Sequence, residues 1–269
     1  MRKYRKGIHL LMDRNRLKKY LIITFLITWT CWWGEALLVK STALTATDML
    51  PMILFTIGGF GPTVAACVCM EGGFNNRNLK EFLFNNTRRN WLSILIAVLT
   101  ITVVFFLCSE GLVPSIPSSP IAVIVILVIF LQAAILYGGN EELGWRGTML
   151  PILEKGTPAP IATLVVSIVW IIWHIPLWFI EGNSHQNMSF ISFAILGIAL
   201  SYWLSAIFDV TGAVVFCMIL HGWINTLMGV VSIKEDFRYY IALAAITGIA
   251  IVASCRKQQN NKDTSNSGS

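Results

Sequence analysis

Eight runs of 17 to 21 mostly apolar residues dominate this chain: 20–39, 50–70, 91–108, 120–137, 161–180, 190–208, 212–231 and 239–255. A helix rises 1.5 Å per residue, so about 20 such residues cross the hydrocarbon core of a bilayer. A soluble chain of 269 residues could not bury all of them without a polar shell. Charged residues make up only 13% of this one, about half the share usual in soluble domains. The expected fold is all-α: a polytopic membrane helix bundle with about eight transmembrane helices in residues 20–255. A basic segment (1–19) precedes it, and a polar tail (256–269) that reads as disordered follows.

Charge placement supplies the orientation. With the N-terminus in the cytoplasm, 17 of the 20 Lys and Arg fall in cytoplasmic segments, beginning with the cluster from Arg2 to Lys19. Only Lys40, Lys234 and Arg238 fall outside. That asymmetry predicts that both termini are cytoplasmic. The N-terminal cluster abuts an apolar run directly, so it reads as a contact to anionic lipid, with no nucleic-acid partner. The first apolar run is long and reads as a retained anchor, with no cleavable signal peptide. The C-terminus has no prenylation box. An Asn-, Ile- and Lys-rich composition without organellar signals suggests a bacterial plasma membrane. The six cysteines lie in or beside apolar runs without C-x-x-C spacing and read as small core residues.

Local markers add detail. Gly58, Gly59, Gly61 and Pro62 interrupt the second run and predict close packing and a kink. The stretch 71–90 reads equally as a short interfacial helix, with Leu79, Phe82 and Leu83 at helical spacing, or as a solvated loop. Glu35 and Glu110 sit near the outer ends of their runs and are expected to snorkel to the interface. Nothing singles out His9 or His185.

Ionisable groups inside a membrane are costly, so each deeper one is a candidate for function. Three groups remain. In Glu141-Glu142-Leu143-Gly144-Trp145-Arg146, Glu142 and Arg146 stand at i and i+4 and can pair, while Glu141 points about 100° away. One carboxylate is thereby neutralised and the other can face a cavity. His174 follows Trp170 by one turn, so an indole on the same face can wall a pocket beside it. His221 and Asn225, again i and i+4, aim two polar groups the same way from one helix. Together these groups supply a carboxylate base, two imidazoles, an amide and a guanidinium. Their depth raises a difficulty. If the fourth helix ended at Tyr137, Glu141 would lie at the rim, with His174 and His221 roughly 15–20 Å deeper. That helix must tilt, break at Gly138-Gly139, or continue embedded to about Leu153.

These motifs resemble the CPBP family, which comprises CAAX prenyl endopeptidases and Abi-type, bacteriocin-related proteins. Its pattern is Glu-Glu-x-x-x-Arg, then Phe-x-x-x-His, then His-x-x-x-Asn or Asp. Glu141, Glu142 and Arg146 match the first, and His221 and Asn225 the third. In the second, His174 is kept and Trp170 replaces the Phe. The resemblance implies an intramembrane endopeptidase, a glutamate protease or a metalloprotease, acting on a membrane-associated peptide or protein. Glu141 would activate water with His174, His221 and Asn225 would bind the oxyanion, and Glu142 and Arg146 would be structural partners. Glu141, His174 and His221 could also supply the three ligands zinc takes. A Glu base with two His donors needs no metal and is the preferred form, because no H-E-x-x-H is present. The alternative is a non-catalytic membrane protein of the same fold, an immunity factor or regulatory scaffold. Rhomboid-like, aspartyl and site-2-type sites are not found, and neither are the inverted repeats of a transporter.

Overall fold

The computed structural model describes the backbone of residues 2–84 and 90–267, and the side chains of 13–84 and 90–255. In chain order it runs α1 (Arg2–Ser41), α2 (Met49–Gly59), α3 (Gly61–Val68), α4 (Asn76–Phe84), α5 (Trp91–Leu107) and β1 (Ser109–Leu112). Next come α6 (Ile121–Ile135), a 3-10 turn (Gly139–Glu141), α7 (Glu142–Gly144), a π turn (Trp145–Met149) and α8 (Leu150–Glu154). After α9 (Ala159–Trp173) and two 3-10 turns (Ile175–Phe179 and Ser184–Asn187) follow α10 (Phe190–Thr211), α11 (Val214–Val230), β2 (Val231–Ile233) and α12 (Phe237–Ser267). Arg88 and Arg89, two of the basic residues counted above, lie outside the described residues. So do the side chains of the tail from Arg256. In backbone the last helix continues through that tail to Ser267, and no Gly or Pro interrupts 256–267.

Every apolar run forms a helix. Among the described residues five helical segments are long and apolar enough to cross a bilayer, and α2 with α3 makes a sixth, bent by 42°. α5 and α11, at 17 residues each, are apolar but shorter, so a count of eight is compatible with the structure. Large apolar side chains point outward, among them Ile22 and Leu26 on α1, Leu92 and Leu99 on α5, and Ile121 and Val123 on α6. Thr24, Thr28, Ser167, Ser201 and Thr226 are buried. A soluble protein sorts its residues the other way. The chain is a multi-pass membrane protein.

The bend between α2 and α3 has a local cause. Pro62 has no N–H to give the carbonyl of Gly58. The Thr28 hydroxyl donates to that carbonyl instead, at 2.6 Å. The stretch 71–90 contains a helix, α4, none of whose residues is buried.

The chain divides into two compact units, Met1–Leu79 with Glu141–Ser201, and Lys80–Asn140 with Tyr202–Ser269. In the first, α1 packs on α2 and α3 through a face that repeats every three or four residues: Tyr20, Thr24, Thr28, Trp32, Ala36 and Val39, all buried. Glu35 belongs to that face. It is 1% exposed, and its Oε2 is buried without a hydrogen-bond partner, so the expectation that it snorkels is wrong. It lies one turn beyond Trp32, whose ring packs 4.6 Å from that of Trp173, and its stem points inward. Glu110, in β1, is exposed as expected.

In the second unit α11 packs on α6 and α5. Gly222 makes the approach to α6 close: a Cβ there would stand 2.6–2.7 Å from backbone and side-chain atoms of Ala134. β1 and β2 pair antiparallel, Leu112 opposite Val231 and Ser109 opposite Ile233, with an irregularity between Ser109 and Gly111. No apolar run foreshadows this pair. All six cysteines are free.

Candidate active site

The helix that carries the glutamates is broken where a glycine permits it. The amides of Leu136 and Tyr137 both reach back to the Gln132 carbonyl, at 2.7 and 3.1 Å, and close α6. Gly138 then adopts φ +126°, a conformation that side chains with a Cβ rarely tolerate. Helical backbone resumes at Gly139 and continues to Glu154. Of the three solutions to the depth difficulty, the structure shows a break at Gly138 with helix continued beyond it.

Glu141 and Glu142 are both buried, at 6% and 0% exposure, yet their partners differ in kind. Arg146 Nη1 donates to both Glu142 oxygens, at 2.9 and 3.0 Å. Its Nη2 donates to the Ser201 hydroxyl at 2.7 Å and to the Ser201 carbonyl at 3.3 Å. This is the pair expected from the i, i+4 spacing, with Ser201 as an added partner. Glu141 Oε2 accepts instead from two neutral indoles, Trp170 Nε1 at 2.7 Å and Trp145 Nε1 at 3.2 Å. Trp145 opens the π turn, and the Thr148 hydroxyl donates to the carbonyl of Leu143 at 3.0 Å. Such wide turns occur often at functional sites.

His174 ends α9. Its amide turns to the carbonyls of Ile171 and Ile172, which leaves the Trp170 carbonyl open to another donor. His174 Nδ1 meets it at 2.8 Å. A carbonyl can only accept, so Nδ1 carries the proton and Nε2 is the basic nitrogen of the ring. The imidazole sits edge-on to Trp170 (centroids 4.4 Å apart) and near Trp173 (4.6 Å) and Phe193 (5.1 Å). His185, which the sequence left unmarked, stacks on it at 6.2 Å and 26°. The structure thus brings Glu141, Trp170 and His174 together in the first unit, with Glu142 and Arg146 beside them.

The other two candidates belong to the second unit. His221 is 1% exposed and Asn225 is half-buried. They share a face of α11, and that face meets the break after α6. Asn225 Nδ2 donates to the Tyr137 carbonyl at 2.9 Å. A Cβ on Gly138 would collide with Asn225 Nδ2 and stand 3.0 Å from His221 Nε2. The amide has a second N–H, so holding Tyr137 does not exhaust its capacity to donate.

The sequence missed Trp145 as a donor, Ser201 and His185. Trp145 stands four residues after Glu141, so the spacing that revealed the Glu142–Arg146 pair was present there too. Ser201 lies 55 residues from Arg146, and His185 lies in a turn between helices; neither carries a local signal.

Zinc would require three ligating side chains grouped about one point. Among the described residues no three His, Cys, Asp or Glu side chains are so grouped, and Glu141 Oε2 is engaged by two N–H donors.

Residues 120–227, the stretch that holds all three motifs, match the family model described as type II CAAX prenyl endopeptidase Rce1-like. The chain is also 27% identical over 247 residues to CAAX prenyl protease 2 of Methanococcus maripaludis, across 81% of this chain and 86% of that protein. The resemblance read from the motifs is borne out, and both matches support an intramembrane endopeptidase.

Proposed function

We propose that this chain, Rce1-like across the segment that carries its motifs, cleaves a peptide bond in a membrane-associated protein or peptide with a water activated by Glu141 and His174. One observation carries the reading: of two adjacent buried glutamates, Glu142 is taken up by the Arg146 guanidinium, whereas Glu141 accepts from two indole N–H groups. A carboxylate neutralised by a guanidinium is a poor base, whereas one held by N–H groups can still take a proton. Glu141 accepts a proton as the water oxygen bonds to the scissile carbonyl carbon. It returns that proton to the departing amine as the C–N bond breaks. His174 Nε2 orients the same water. His221 and the second Asn225 N–H stabilise the oxyanion of the tetrahedral intermediate. The chemistry runs through no metal.

By the names of its relatives, the substrate is a prenylated protein with a CAAX tail. The protein sits in the plasma membrane with both termini cytoplasmic. The test is cleavage of a panel of membrane peptides, with and without a prenylated tail, by purified protein beside a Glu141→Gln control. Native protein should cleave the prenylated members, and the variant should be inactive at equal folded yield. Equal turnover by the variant would remove Glu141 as the base and leave the non-catalytic scaffold in its place if neither protein exceeds background. Stoichiometric zinc in active protein would overturn the metal-free mechanism. Reporter fusions at Ser269 and Ser115 test the topology, and an external C-terminus would refute it.

A further inference from the structure

The resembled pattern has a phenylalanine where this chain has Trp170, and the exchange adds one group that phenylalanine lacks, an N–H. That N–H lies 2.7 Å from Glu141 Oε2, at the short end for a donor to a carboxylate. Both residues are buried, at 5% and 6% exposure. Trp145 Nε1 reaches the same oxygen from the π turn at 3.2 Å. Two indole donors thus converge on one oxygen of the carboxylate.

The surroundings of Trp170 fit an indole. Gly197 on α10 lies against its six-membered ring: a Cβ there would stand 2.9 Å from Cζ3 and 3.3 Å from Cε3. Phe193 stacks on its face at 5.7 Å and 19°. The backbone carbonyl of Trp170 accepts the proton of His174 Nδ1 at 2.8 Å. Trp170 therefore touches both groups assigned to the water, one through its side chain and one through its carbonyl.

We propose that Trp170 is a positioning residue that holds the Glu141 carboxylate through its indole N–H, with Gly197 providing the room that the second ring needs. The proposal rests on the function proposed above and names what orients its base. Holding the base in one orientation raises the rate of the chemical step without changing substrate affinity.

The test exchanges the N–H for sulfur at constant shape. Trp170→β-(3-benzothienyl)alanine is compared with native protein, Trp170→Phe and Glu141→Gln on a peptide that native protein cleaves. The benzothienyl variant should fold as native protein does, lose about tenfold to a hundredfold in kcat, as a hydrogen bond to a charged group implies, and keep its KM. A packing role alone would leave kcat untouched, since the ring keeps its size. Gly197→Ala should lower kcat with Trp170 present and lower it less in the Trp170→Phe background, because the smaller ring leaves the added methyl its space. Native kcat in the benzothienyl variant would overturn the positioning role even if Trp170→Phe misfolds. Activity in Glu141→Gln would overturn the underlying function instead, so the two failures are told apart.

Discussion

The two regions that hold the candidate residues are built on different principles. Around Glu141, Glu142 and His174, side chains do the holding: a guanidinium on one carboxylate, two indoles on the other, and a ring of aromatics about the imidazole. Around His221 and Asn225, backbone does it. Gly222 lets α11 lie against Ala134, Gly138 takes a conformation closed to other residues, and the Asn225 amide grips the carbonyl just before it. In sequence both look alike, as polar pairs four residues apart in apolar helices. The first region should therefore lose energy in increments as partners are removed, whereas the second should fail abruptly when a methyl group is added.

The largest effect expected is at Gly222. Gly222→Val forces branched carbons into the space of Ala134 main-chain atoms, which cannot move aside without parting α6 from α11. No folded protein should be recovered from membranes, and normal recovery would show that backbone contact does not set the second region. Arg146→Ala comes next, at about 3–5 kcal/mol, because it leaves a fully buried carboxylate without its cation. Denaturation in detergent measures it; a loss below ~1 kcal/mol would show that the first region does not depend on its charge pair. Asn225→Ala should lower kcat by about a hundredfold to a thousandfold while KM stays near native. The structural loss should be only about 1 kcal/mol for the bond to Tyr137. Loss of fold with no specific kinetic defect would make Asn225 a strut of the second region and nothing more.

The smallest effect concerns His185, whose ring lies on His174. Burial pushes its pKa down from 6.5 to about 4. Between those values the unfolded chain binds a proton that the folded protein does not, so stability is present above pH 6.5 and declines as pH falls towards 4. The thermal midpoint of native protein should fall more steeply across that window than that of His185→Gln. Parallel profiles would remove His185 from the account of acid sensitivity.

The apolar runs made the membrane helices legible, since the length of a membrane helix is set by the bilayer. The Glu142–Arg146 pair and the bend before Pro62 were legible because both are local consequences of spacing and of a missing N–H. Ser201, Phe193 and the β1–β2 pair were not, because each meets its partner across many residues and carries no periodic mark. Glu35 was misread for another reason. In a helix that is apolar on all sides, composition does not show which face turns inward, and a carboxylate near a helix end passes equally for a snorkelling group or a buried one.

The π turn at Trp145–Met149 also bears on how this segment tolerates a change of length. A π turn holds one residue more than an α-helix requires over the same span. Deleting a single residue between Trp145 and Met149 would let the helix close into regular α geometry over the same span and leave α8 near its present bearing relative to the two glutamates. The segment therefore has one residue to spare, whereas a second deletion or an insertion would turn α8 by about 100°. Residues 113–120, mostly exposed and punctuated by Pro114, Pro117 and Pro120, have no such register to keep, and they are the place to insert an epitope.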